Sequence, residues 1–226
     1  MRPAHAPRGR DADPEAALTA WEGLPAPYRI ETERLVIRCY EPRDAPLLQD
    51  AIEESIEHLR PFMPWVDDEP QTLEEKVSSC RRFRAAFDSG EDFVYGIFDR
   101  AETEQLGGTG LHPRVGPGGL EIGYWTRAGA TRQGIATEAA AALTRVALEV
   151  CGADRVEIRI DPRNEASFGV PRALGFPVEA TLRRRLPDRP GKPLRDVTIH
   201  TLFREDVDPG IASAARAFDA RGERIL

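Results

Sequence analysis

The stretch Arg127-Ala128-Gly129-Ala130-Thr131-Arg132-Gln133-Gly134-Ile135-Ala136-Thr137 carries two arginines and no acid, in a chain with 38 Asp and Glu among its 226 residues. A long helix is predicted to start inside it and run to about Cys151, because Ile135, Ala139, Leu143, Val146 and Val150 keep helical spacing. The first N–H groups of a helix lack intrahelical partners, and the helix dipole favours negative charge beside them. Gly134 and Ala136 carry almost no side chain, so a ligand can approach the backbone. With Arg132 alongside, these groups make an anion site suited to phosphate. An ordinary strand–turn–helix with glycine at the turn is the alternative. The stretch is neither a Gly-Lys-Ser/Thr phosphate loop nor a GxGxxG fingerprint.

Cysteine and histidine argue mostly by absence. Cys39, Cys80 and Cys151 are odd in number and widely spaced, which fits small buried residues in a reducing, cytoplasmic setting. His5, His58, His112 and His200 are scattered, and there is no CxxC or HExxH, so sequence-local ligands do not build a metal site. His112 closes a predicted strand and is tempting as a base, but a lone histidine is more often a hydrogen-bonded structural residue.

The chain has a mass of 25.1 kDa, a net charge of −7 and a pI near 5.3. Phosphate-coating proteins want a basic footprint, so this balance argues against nucleic acid as a partner. The Arg183-Arg184-Arg185 run then reads as a solvated strand or turn face. Hydrophobic content of 41% and charged content of 31% suit a globular domain. No apolar run approaches the ~18–20 residues of a membrane span, and the N-terminus lacks a signal-peptide core.

The elements that must position the anion loop follow from periodicity and turn residues. Residues 1–27, rich in Ala, Pro, Arg and Asp, read as a flexible N-terminal arm with a short helix near Asp13–Trp21. A strand is expected over Ile30–Tyr40 and a helix from Pro42–Asp44 to about His58. Pro61 and Pro64 then stiffen an apolar loop through Trp65. Thr72 with Glu75 forms a capping box that opens a helix to about Asp88, and Gly90 ends it. Strands are expected over Phe93–Asp99, Gln105–His112, Leu120–Thr126 and Asp154–Asp161. A short helix over Glu165–Leu174 and strands over Val178–Leu186 and Asp196–Arg204 complete the set. The order βααβββαβαββ implies an α/β fold of the mixed α+β kind, a central mixed sheet with helices on both faces. Ile211, Ala215 and Phe218 keep helical spacing, so residues 207–226 are expected as a helical extension, packed on a second copy in a homodimer or folded back on its own domain.

Four blocks in order make the reading specific: Glu31–Arg38; Leu59–Trp65; Glu121–Trp125 with Arg132–Ala139; and Asn164–Ser167 with Leu174-Gly175-Phe176. Together they resemble the GNAT acyltransferase superfamily over residues 28–206, and within it the branch that acetylates N-terminal Ser or Ala of ribosomal proteins. The superfamily's Gln/Arg-x-x-Gly-x-Gly/Ala loop is matched by Thr131-Arg132-Gln133-Gly134-Ile135-Ala136, with Thr131 in the place of Gln or Arg.

The resemblance implies acetyl-CoA as cofactor and an amine-bearing acceptor, either a protein or peptide N-terminus or a small molecule, attacked directly in a ternary complex. It implies that backbone at Tyr124, Trp125 and Thr126 pairs with the pantetheine amides. The pyrophosphate would lie on the N–H groups of Arg132, Gln133, Gly134, Ile135, Ala136 and Thr137. Asn164 and Phe168 would touch the cofactor arm, and Phe62, Met63 and Trp65 would line the acceptor side. For the chemistry, Glu121 is the candidate base and Ser167 the candidate acid at the leaving sulfur. The tyrosine that many of these enzymes carry seven residues after the block's asparagine is Pro171 here. The rival expectations are a non-catalytic acyl-CoA-binding regulatory module and a tRNA-modifying protein that uses Arg183–Arg185. Salt bridging by Glu121, capping by Ser167 and turn formation by Asn164 are the plain alternatives for those three residues.

Overall fold

The computed structural model describes residues 26–189 and 191–226, so the expected arm and its helix near Asp13–Trp21 fall outside the described residues, apart from the last two arm positions. The strand expected over Ile30–Tyr40 is two strands, Arg29–Glu31 (β1) and Leu35–Cys39 (β2), paired as a hairpin from Arg29–Arg38 to Glu31–Val36. Thr32 makes the turn: its N–H donates to the Leu35 carbonyl, and its Oγ1 accepts from the Leu35 N–H at 3.0 Å. Side chains on β2 alternate across the sheet, as a period of two requires. Leu35 and Ile37 enter one core, and Val36 enters the other.

The first expected helix is broken. A 3₁₀ turn at Pro42–Asp44 leads into α1 (Ala45–Glu53), and Glu54 and Ser55 interrupt it before α2 (Ile56–Leu59). The next helix, α3 (Leu73–Ser89), carries the capping box and the left-handed terminal glycine read from sequence: the Glu75 N–H donates to Thr72, and Gly90 has φ 76°. Strands β3 (Phe93–Asp99), β4 (Gln105–His112) and β5 (Gly119–Thr126) form an antiparallel meander. Helix α4 (Ile135–Arg145) continues as a π-helical turn over Val146–Val150. It leads through a glycine turn to β6 (Arg155–Ile160). The short helix is α5 (Gly169–Ala173), followed by β7 (Val178–Leu186) and β8 (Arg195–Phe203). Residues 165–168, expected as its first turn, make i→i+3 turns instead.

All strands of the described residues lie in one mixed sheet, ordered β7-β8-β6-β5-β4-β3-β2-β1 and closed at the far edge by β9 (Arg216–Phe218). The helical extension expected over 207–226 does not form; the segment folds back on its own domain, as turns and a strand rather than a helix. Ala215 and Ala217 are buried instead, and β9 pairs with the outer edge of β1. Covering an open edge strand outweighs the weak helical period of a segment interrupted by Pro209 and Gly210. Helix α4 covers one face, packing Ala139 and Leu143 among Leu35, Ile37, Tyr95 and Ile122. Helices α1 and α3 cover the other with Leu48, Ile52 and Cys80 against Val36, Tyr40 and Phe98. All three cysteines are free and buried. Among the described residues, no helix is long and apolar enough to cross a membrane.

Candidate active site at the open seam

Among the described residues, the one parallel pair in the sheet is β5–β6, and it holds for three residue pairs: Gly119–Arg155, Leu120–Val156 and Glu121–Glu157. Beyond Glu121 the two strands part. Backbone groups along a strand point alternately to its two sides. The Gly118 carbonyl accepts from the Asp154 N–H on the β6 side, whereas the Arg127 N–H donates to Leu106 on the β4 side. The alternation sends the backbone groups of Ile122, Tyr124 and Thr126 into the open seam and commits those of Trp125 to β4. The Thr126 carbonyl, at the mouth, lies 2.9 Å from His58 Nε2. Of the three backbone positions expected to meet the cofactor, two therefore face the gap, and Trp125 offers its ring.

The loop after β5 is held from α1 and α2. The Glu54 carboxylate accepts from the Gly129 N–H at 2.7 Å and pairs with Arg127 at 2.6 Å. Ser55 Oγ accepts from the Ala128 N–H at 3.0 Å. The helix break at Glu54–Ser55 thus supplies two acceptors that fix this loop. Gly134 caps α4 at φ 79°, a left-handed position that glycine reaches without steric cost. The first backbone donor of α4 with an intrahelical partner is the Glu138 N–H, bonded to the Gly134 carbonyl at 2.9 Å. The N–H groups of Ile135, Ala136 and Thr137 precede it. Arg132 is exposed, at φ 59°. The Gln133 side chain folds back to the Gly129 carbonyl at 2.8 Å, so it shapes the loop. Arg34 joins the cluster by donating to the Gln133 carbonyl and to Glu138.

The turn after β6 forms the opposite wall. The Ser167 N–H faces both Asn164 oxygens, the carbonyl at 3.1 Å and Oδ1 at 3.4 Å. The Tyr124 phenol crosses the seam and donates to the Ser167 carbonyl at 3.1 Å. Burial pushes that phenol well above its ordinary pKa, so it stays neutral. Phe168 packs edge-on to the buried ring of His200, with centroids 5.3 Å apart.

A cavity of about 680 Å³ opens from the seam toward α1 and α3. It brings together Phe62, Met63, Trp65, Glu121, Tyr124, Trp125, Asn164 and Ser167. Residues Arg132–Thr137, Thr126 and Phe168 lie outside its lining. Trp65 and Trp125 meet edge to face at 6.0 Å across its mouth. Glu121 is buried, but both its oxygens are taken by Arg114, at 2.7 and 3.0 Å. A carboxylate held by two charge-assisted bonds is a poor proton acceptor, so the geometry favours the salt-bridge reading of Glu121 over the role of base. Sequence reasoning did not anticipate Arg114 on Glu121, the pairing of Lys76 with Glu69 in the cavity wall, or the contact of His112 with Asp92 at 2.6 Å. Each partner is remote in sequence or hidden in a loop. Only the alternation of β4 and β5, which sets His112 opposite Glu121, gave a signal.

No curated protein sequence matches the chain. Among solved structures, the ribosomal-protein-S5-alanine acetyltransferase of Vibrio fischeri aligns with a TM-score of 0.67 at 20% identity, covering 80% of this chain and 99% of that one. RimJ of Mycobacterium smegmatis, solved in complex with CoA-disulfide, aligns at 0.67 and 24%, covering 82% and 89%. The microcin C7 self-immunity acetyltransferase MccE, in complex with acetyl-CoA and AMP, aligns at 0.67 and 17%, covering 76% and 93%. At these identities the likeness is one of fold. Residues 34–177 match the acetyltransferase (GNAT) domain, and the chain therefore belongs to the GNAT family of acetyl-CoA-dependent N-acetyltransferases.

Proposed function

We propose that this chain transfers acetyl from acetyl-CoA to the α-amino group of a protein or peptide, or to a small amine, by direct attack in a ternary complex. The observation that carries the reading is the seam. It begins near the uncapped donors of α4, runs past the backbone of Tyr124 and Thr126, and opens into the cavity. An extended arm with amides would pair there as an added strand. Its pyrophosphate would rest on the N–H groups from Arg132 to Thr137, with Arg132 adding charge. Gln133 would support that loop, and Gly134, Ile135 and Ala136 would leave the backbone open.

Asn164 and Phe168 flank the arm in this reading, and the Ser167 hydroxyl would meet the leaving sulfur. Ser167 would hydrogen-bond or protonate that sulfur. The attacking amine loses a proton, its nitrogen bonds to the thioester carbon, and the C–S electron pair leaves with sulfur. Phe62, Met63 and Trp65 would receive the acceptor, while Glu121 would order the wall through Arg114. The likeness to the ribosomal-protein-S5-alanine acetyltransferase supports a protein acceptor, and MccE, with its bound AMP, supports a small one.

Thiol release from acetyl-CoA tests the reading. The panel should hold Ser- and Ala-starting peptides, polyamines, aminoglycosides and aminoacyl nucleotides, with each product weighed by mass spectrometry. Turnover with one class fixes the acceptor. Failure of acetyl-CoA to bind would overturn the reading.

A further inference from the structure

With Glu121 already occupied, the cavity needs another proton acceptor. We propose that His112, positioned by Asp92, is the base that deprotonates the acceptor amine; the assignment rests on the acetyl-transfer reading above. His112 ends β4 and lines the cavity, and its side chain is 13% exposed. Its Nδ1 lies 2.6 Å from Asp92 Oδ1. An ionised carboxylate can only accept, so Nδ1 carries the hydrogen and Nε2 of the neutral ring carries the lone pair. That nitrogen lies against the sheet. A Cβ built on Gly110 would come within 2.6 Å of it, and one built on Gly123 within 3.2 Å. Any larger residue at Gly110 would therefore displace the ring. Gly123 sits between Ile122 and Tyr124, whose backbone groups face the seam. The lone pair is thus on the cavity floor beside the strand where the thioester would lie.

The proton balance is simple. As the neutral amine attacks, its N–C bond forms and its proton passes to Nε2. The C–S pair leaves as thiolate, which draws a proton from solvent by way of Ser167. His112 then returns its proton to water, and one proton is released for each ammonium consumed. The charges facing the ring are Asp92, Glu121 opposite it on β5, Arg114 on Glu121, and Arg159, which stands 3.9 Å from Glu121. Arg82 and the Lys76–Glu69 pair face the same cavity from the α3 side. Protonating His112 beforehand removes the base, so turnover should fall as the pH drops.

Two measurements decide the assignment. Long-range ¹H–¹⁵N NMR of the imidazole needs no acceptor: an Nδ1–H tautomer with a bare Nε2 is expected, and Asp92→Asn should redistribute the tautomers. An Nε2–H ring in the unaltered protein would overturn the assignment. Turnover is then followed with acetyl-CoA and pooled Ser- and Ala-starting peptides. His112→Asn should lower kcat by about 10²–10⁴-fold, abolish the acid limb of the pH profile and leave acetyl-CoA affinity unchanged. Asp92→Asn should lower kcat less and move that limb. A His112→Asn enzyme with wild-type kcat, acid limb and acetyl-CoA binding overturns the base assignment alone. Loss of acetyl-CoA binding by the unaltered chain overturns the acetyl-transfer reading, and the base with it.

Discussion

The phenol of Tyr124 donates to the carbonyl of Ser167 at 3.1 Å, joining β5 to the turn after β6 where the sheet has come apart. Strands that diverge lose their ladder bonds, so something else must hold the gap at a fixed width. This bond spans it, and Ser167 in turn is fixed to Asn164 through its own N–H. One hydrogen bond therefore couples the open strand to the residue proposed to meet the leaving sulfur.

Tyr124→Phe removes that bond and leaves the ring. The Ser167 carbonyl keeps the Val170 N–H but loses this part-buried donor, so stability should fall by about 1 kcal/mol. Urea unfolding reads this as a lower midpoint at constant m-value. Turnover should drop more than acetyl-CoA affinity, because the arm's backbone partners remain. An unchanged midpoint and unchanged kcat would show that the bond holds nothing.

Gly134→Val tests the loop. The φ of 79° disfavours a β-branched residue, and a Cβ there would stand 3.4 Å from Arg34 Nη2. Strain of about 1–3 kcal/mol at this position should tilt the first turn of α4 and misplace its free donors. Calorimetry should show acetyl-CoA affinity reduced at least tenfold, with the fold retained by circular dichroism. Wild-type affinity would mean that the pyrophosphate does not rest on this turn.

The sheet was legible because its strands alternate and its turns are punctuated. The bounds of Phe93–Asp99, Gln105–His112 and Val178–Leu186 match those read from sequence. The α4 loop was legible for a similar reason, since glycine at a positive φ and a run without acids are local signals. What escaped was set by turns and pairings that periodicity does not encode. The hairpin at Thr32 looks like one strand until its turn bonds are seen. The tail pattern Ile211–Ala215–Phe218 is helical in period, yet the outer edge of β1 recruits Arg216–Phe218 as a strand. Glu121 is a carboxylate on the expected strand, but its pairing with Arg114 depends on how the β4–β5 turn folds back.

Lys76→Met should be the most destabilising single change in the cavity wall. Lys76 and Glu69 form an ion pair with both side chains only 2% exposed. Removing the lysine leaves a buried carboxylate without its partner, at a cost of about 3–5 kcal/mol. Replacing both residues by apolar ones, as in Lys76→Met with Glu69→Leu, should recover most of that loss. Thermal unfolding of the two variants checks the order, and a single variant as stable as the double one would refute it.

Acid should loosen the far side of the seam through Asp161. Burial acts to raise this carboxyl, but hydrogen bonds from Arg163 and from Arg195, the latter at 2.7 Å, outweigh it and hold the pKa at about 2. An unfolded aspartate titrates near 3.9. The folded form therefore binds its proton later than the unfolded one, and the stabilisation from these bonds, those of Arg163 foremost, is complete above about pH 4. It is lost as the pH falls from about 4 through about 2, and it is on the order of 2 kcal/mol. Asp161 and Arg195 both line the cavity, and the pair ties the end of β6 to β8. Thermal melts across this range should show a steep fall for the unaltered chain. Asp161→Asn, which has no such proton to gain, should start less stable at pH 5 and lose less on acidification. Parallel curves for the two proteins would remove Asp161 as a source of the acid sensitivity.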